Sequence, residues 1–316
     1  LKAGVGAAVG RLHPGRAGPW MVCQERQAWR LWPLGWPTGR TEEPGTDAER
    51  WERDRERAFE IADSVEKGYA REIATEFMHP LRRSSKLWRF NVVRSEDLLR
   101  YRLLAGDGEF LMYAQVEPEA RRVEFFLYDP HDKGEALYDP SRPAFSMSYS
   151  KDATEWWLVQ ERCERCQLSA KQLLCASHGK QQVAYVRHTR KAIGGGVFNS
   201  VELQIPGLYS DGSRVLWCPL LGRGDLTDAS EGSCEVQRLQ ARPPTWSDEL
   251  GSLVLDFRGR SVVASAKNFQ LALRQKPEHV ICQYGRLGPS TFALDFRYPL
   301  SLVQAFGAAL TTLFWA

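Results

Sequence analysis

Sulfur pairs, imidazoles, paired carboxylates, glycine loops and clustered cations are the groups through which a chain acts chemically, and in this 316-residue sequence only the last holds up. Cys163-Glu-Arg-Cys166 has the gap of a zinc or redox pair. No second Cys or His pair stands at a fitting distance, and His178 and His188 are out of ligand register, so the pair reads as small, semi-buried strand residues. Gly194-Gly-Gly196 lets backbone come close to a ligand, but it lacks the strand-to-helix setting and the Lys-Ser/Thr of a nucleotide loop; it reads as a turn. The six His, with scattered Asp and Ser, form no nucleophile elbow or carboxylate pair, so a hydrolase or transferase has no anchor in the sequence, and neither an enzyme nor a cofactor or metal site is expected. Cations remain. Lys and Arg total 42 against 39 Asp and Glu, a net charge of +3, too weak for the broad basic groove of a nucleic-acid binder. Any anionic partner must be met by a local cluster.

Such a cluster needs rigid elements to hold it. The run from Val280 to Tyr298 alternates in the two-residue period of a half-buried strand and is interrupted by Gly288-Pro-Ser290, which predicts a hairpin. Pro299 then fixes φ where a helix is expected to start, and Leu300, Leu302, Val303, Ala305, Phe306, Ala308, Ala309, Leu310, Leu313 and Phe314 cover nearly every face of it. A helix that is apolar all round must be surrounded. It is shorter than the roughly 20 residues that span a bilayer and carries Ser301, Gln304, Thr311 and Thr312, so it reads as a core helix wrapped in sheet.

The sheet is legible upstream. Trp88, Phe90 and Val92 share one strand face and should point inward. Residues 109–114 and 123–128 form a hairpin, and short strands follow at 144–148, 156–162, 172–176, 182–187, 201–207 and 236–239. Residues 1–46, rich in Gly, Pro, Arg and Trp, read as a poorly ordered leader. Residues 47–74 read as an amphipathic helix built on Phe59, Ala62, Val65, Tyr69 and Ile73, and the main domain runs from 75 to 316. Seven cysteines without a secretory pattern predict a reducing, cytosolic setting.

Five blocks in order, Val254-Leu-Asp-Phe-Arg-Gly-Arg260, Ala264-Ser-Ala-Lys-Asn-Phe-Gln270, Gln283-Tyr-Gly-Arg286, Phe292-Ala-Leu-Asp295 and Tyr298-Pro-Leu-Ser-Leu-Val-Gln-Ala-Phe306, resemble the C-terminal signature of the Tubby-like proteins. The resemblance implies a mainly β fold: a closed antiparallel barrel of about twelve strands round a central hydrophobic C-terminal helix. It implies binding of phosphatidylinositol 4,5-bisphosphate, or a related anionic lipid, at the cytoplasmic face of the plasma membrane. It also implies recruitment of protein cargo through the N-terminal helix, with trafficking at the cilium among the family's settings.

In the family a Lys and an Arg two residues apart grip the phosphates. They fall here on Cys163 and Arg165, and a third family Arg falls on Asn199. The expected phosphoinositide set is therefore Arg165 with Arg162, Arg142, Arg190 and Lys191 as substitutes. Two other classes compete. A scramblase-like protein of the same fold would need its helix in lipid and a palmitoylated cysteine cluster; a nuclear transcription regulator would need the basic groove that +3 argues against.

Overall fold

The computed structural model describes residues 77–315 except 82, 84, 107, 128–142, 161–179, 194–195, 210–213, 219–222, 224, 231, 250 and 258. The expected leader, the N-terminal helix, the 172–176 strand, the Cys163/Cys166 pair, Arg142, Arg162 and Arg165 lie outside the described residues.

Among the described residues, fourteen strands precede the helix: β1 (Trp88–Arg94), β2 (Arg100–Ala105), β3 (Phe110–Glu117), β4 (Arg122–Phe126), β5 (Phe145–Tyr149), β6 (Glu155–Gln160), β7 (Gln181–Ile193), β8 (Gly196–Pro206), β9 (Val236–Ala241), β10 (Thr245–Ser247), β11 (Ser252–Val254), β12 (Phe269–Leu273), β13 (Lys276–Arg286) and β14 (Thr291–Phe296). Twelve of them close into a barrel in the order β1-β14-β13-β12-β9-β8-β7-β6-β5-β4-β3-β2, antiparallel throughout, while β10 and β11 form a separate ribbon. Closure removes every exposed edge. The expected inward face of β1 is observed: Trp88, Phe90 and Val92 are buried and Arg89 is exposed.

The central helix, α1 (Leu302–Leu310), runs down the barrel with every residue buried, and a 3-10 turn, Thr311–Phe314, carries the chain out. Leu302, Phe306 and Leu310 are at most 2 % exposed, and each contributes roughly 1.5–3 kcal/mol by leaving water. The start differs from the expectation. The helix begins at Leu302, after Pro299, with Ser301 as its cap: the Ser301 hydroxyl accepts from the Gln304 amide, and the Gln304 side chain accepts from the Ser301 amide at 3.0 Å and donates to the Val183 carbonyl at 3.1 Å. A Ser-x-x-Gln capping box satisfies two amide donors that have no partner within the helix, which Pro at the first turn cannot do.

The blocks that carry the resemblance meet on the outer face. Gln270, Gln283, Asp295 and Arg89 stand in one row across β12, β13, β14 and β1. Arg260 grips buried Asp295 through both carboxylate oxygens at 2.6 and 3.1 Å, Gln283 donates to the same carboxylate, Gln270 contacts Gln283 and donates to the Asp256 carbonyl, and Arg242 donates to Gln270. The 256–262 segment closes over this row because Gly285 has no side chain: a Cβ there would lie 2.8 Å from Val262 and 3.0 Å from Phe257. Cys218 and Cys282 are buried outside any disulfide, and Cys234 is disulfide-bonded.

Candidate anion-binding rim

The barrel has two ends. The first residues of α1, with Gln160 of β6 and Gln181 of β7, mark the helix-entry end; Arg94, Tyr101, Tyr149, His188 and Arg286 mark the helix-exit end. At the exit the helix carbonyls face out, and Lys267 meets them, donating to Thr312 O at 3.0 Å, Leu313 O at 2.8 Å and Trp315 O at 2.5 Å. A cation there complements both the unpaired carbonyls and the negative pole of the helix. Beside it, Arg94 lies over the Phe292 ring and donates to Pro289 O at 2.9 Å, while Arg286 donates to Gly288 O at 3.0 Å. Arg94, Tyr101, Lys267, Tyr284, Phe292 and Leu313 line a narrow crevice there, too tight to hold a water molecule.

Arg94, Lys267 and Arg286 pair with no carboxylate among the described residues. Burial, then the like charges of Arg94 and Arg286, lower the Lys267 pKa to about 8. The Arg94 Nε is buried without an acceptor. An arriving anion would relieve this repulsion; phosphate oxygens suit the forked guanidinium best.

Next to the cluster is an aromatic floor. Phe314 packs against Tyr149 and Trp156, Trp315 donates to His188, and His188 shares a 2.9 Å hydrogen bond with Thr311. Burial holds the His188 pKa down to about 4, so it is neutral there and adds no charge.

Of the residues expected from the sequence, Arg190 and Lys191 are described, and both stand exposed on the long β7–β8 ribbon that rises above the exit rim. Adjacent strand residues face opposite ways. Lys191 shares the face of Arg187, and the single carboxylate of Glu202 pairs with both, at 2.5 Å from Arg187 and 3.9 Å from Lys191. Arg190 is on the other face, directly opposite Asn199, and has no carboxylate partner among the described residues. Gln160 and Gln181, which flank the segment holding Arg162 and Arg165, stand at the helix-entry end, so nine residues of β7, about 30 Å of strand, separate Gln181 from Arg190. Arg94, Lys267 and Arg286 were passed over in the sequence because they lie in three distant stretches, and only the strand order makes them neighbours.

A family model described as the Tub family matches residues 79–314. Tubby-related protein 3 of Homo sapiens is 30% identical over 149 residues, 46% of this chain and 34% of that protein. Tubby protein homolog 1 of Caenorhabditis elegans is 35% identical over 144 residues, 42% of this chain and 33% of that protein. Tubby-related protein 2 of Mus musculus is 49% identical over 74 residues, 23% of this chain and 13% of that protein. The chain thus spans about a third of the length of the first two relatives.

Proposed function

This chain belongs to the Tub family, and on that premise we propose that it is a phosphoinositide-binding adaptor that docks on the cytoplasmic face of a membrane and recruits a protein cargo there. The observation that carries the reading is the cluster of Arg94, Lys267 and Arg286: Arg94 and Lys267 line one crevice, Arg286 is near enough for its charge to act on Lys267, and none of the three has a carboxylate partner among the described residues. A headgroup bearing several phosphates needs such convergence. Each basic residue near an anionic surface adds about 1 kcal/mol, so a few suffice for reversible docking. Arg190 extends the positive field along the ribbon. Lys191 contributes less, since Glu202 already faces it. Arg142, Arg162 and Arg165 remain the set proposed from the resemblance, and they enter the same test.

The test is sedimentation of the full chain with vesicles containing phosphatidylinositol 4,5-bisphosphate, compared with phosphatidylserine vesicles of matched charge. Preference for the first is expected, reduced by joint Arg94→Gln and Arg286→Gln substitution and, if the resemblance locates the grip, by Arg165→Ala. Equal binding to both lipids, or binding to neither, rejects the reading. Cargo is assigned to residues 47–74, so their deletion is expected to leave vesicle binding intact; loss of binding would overturn that division of labour.

A further inference from the structure

The large apolar side chains that stand well exposed among the described residues are Leu98 (52 %), Leu99 (39 %), Val197 (65 %), Trp246 (43 %), Val263 (51 %) and Phe314 (48 %). Scattered singly they would need no explanation. They are not scattered. Leu98 and Leu99 form the β1–β2 turn just after Arg94, and Val263 bonds through its backbone to Arg286. Val197 is near the tip of the β7–β8 ribbon, and Trp246 sits opposite Leu253, which packs on Gly196 at that tip. Phe314 is at the helix exit. All six belong to the exit end. The strands β2, β1, β14, β13 and β12 put Leu98, Leu99 and Val263 on one arc about 20 Å wide, with Arg94, Arg286 and Lys267 set into it.

The leucine turn is held rigidly. Leu98 has φ 62, left-handed backbone that leucine rarely adopts. Asp97 fixes it, accepting from the Leu99 amide at 3.1 Å, from the Ser95 hydroxyl, and from Arg100 at 2.9 Å. The Ser95 hydroxyl and Leu99 amide hold the Asp97 carboxyl down to about 2, so it stays ionised with Arg100 as its counterion. A turn this firmly bonded presents two leucines to solvent.

We propose that the exit rim is a membrane-insertion surface: Leu98, Leu99 and Val263 enter the acyl region of an anionic bilayer while Arg94 and Arg286 lie at the level of its phosphates. The proposal rests on the lipid reading above and adds that part of the affinity is apolar. Such a component survives high salt, whereas charge attraction is screened.

The test uses the full chain and the variant Leu98→Asn/Leu99→Ser, chosen because Asn tolerates positive φ and should leave the urea unfolding midpoint unchanged. Three measurements are compared: affinity for phosphatidylinositol 4,5-bisphosphate vesicles at low and high salt, the pressure rise on injection beneath a lipid monolayer, and affinity for soluble inositol trisphosphate. The variant is expected to bind vesicles at least about tenfold more weakly, to lose the salt-resistant fraction and the pressure rise, and to keep the parent's affinity for the soluble headgroup. Vesicle binding and pressure rise equal to the parent's would overturn the insertion and leave the phosphoinositide reading standing. If instead the parent ignores the headgroup yet penetrates phosphatidylserine monolayers through these leucines, the insertion stands and the phosphoinositide reading falls. A parent that binds no vesicle at all overturns it too, leaving the rim to a protein partner.

Discussion

Two groups of cations sit on the same barrel and meet opposite fates. On the outer face Arg260 is clamped to buried Asp295 inside a row of amides, and its donors go to that carboxylate and to the Phe90 carbonyl. At the exit rim Arg94, Lys267 and Arg286 lie close enough for their charges to act on one another; backbone carbonyls and the Phe292 ring receive them, and among the described residues no carboxylate does. The first group is finished: removing either partner strands a charge, and nothing is left to bind a ligand. The second group is held in place and electrostatically unfinished. Residue type does not separate structural from binding arginines; a counter-charge in the fold does.

The hardest blow to this contrast is Asp295→Ala, which leaves Arg260 beside an empty site. It is expected to lower the unfolding free energy by about 3–5 kcal/mol, against roughly 1 kcal/mol for Arg94→Gln, which loses one carbonyl hydrogen bond; urea titration reads both. Comparable losses would erase the distinction. Vesicle binding should then show the reverse ranking. Arg94→Gln with Arg286→Gln is expected to weaken binding to anionic vesicles roughly 30-fold, two basic residues at about 1 kcal/mol each, while unfolding barely changes.

Titration sharpens the picture within the rim. His188 has a pKa of about 4 folded against 6.5 unfolded, so between these values the unfolded chain binds the proton and the folded one does not. Stability should be full above pH 6.5 and fall as pH drops toward 4. Thermal melts across that range check it, with His188→Gln giving a flatter profile. Lys267 predicts a smaller effect in the opposite direction of pH: it is charged below about 8, so binding to anionic vesicles should weaken as pH rises past that point. A bound anion favours the proton, so the midpoint with vesicles lies above 8, and Lys267→Arg should abolish the dependence. The smallest effect is assigned to Lys191→Gln, below about fivefold in vesicle affinity, because one basic residue near an anionic surface adds about 1 kcal/mol and Glu202 already faces Lys191.

The sequence alone determined the hairpin from Val280 to Tyr298, the buried helix, the inward face of β1 and the resemblance, since alternation and continuous apolarity are local consequences of which faces must leave water. It did not mark β2, although Gly106-Asp-Gly108 bounds it, because the adjacent Leu103 and Leu104 hide the two-residue alternation of Arg100–Ala105, nor did it mark Ser301 as the helix cap. It offered Arg190 and Lys191 alike as substitute cations, whereas both stand on β7 and the pleat turns them to opposite faces. Cations at positions 94, 267 and 286 become one cluster only when the strands close in the order β1, β14, β13, β12. Local pattern records the contacts a residue makes with water and its near neighbours in the chain; which charges end up adjacent, and whether a carboxylate stands between them, is settled only by the register of strands far apart in sequence.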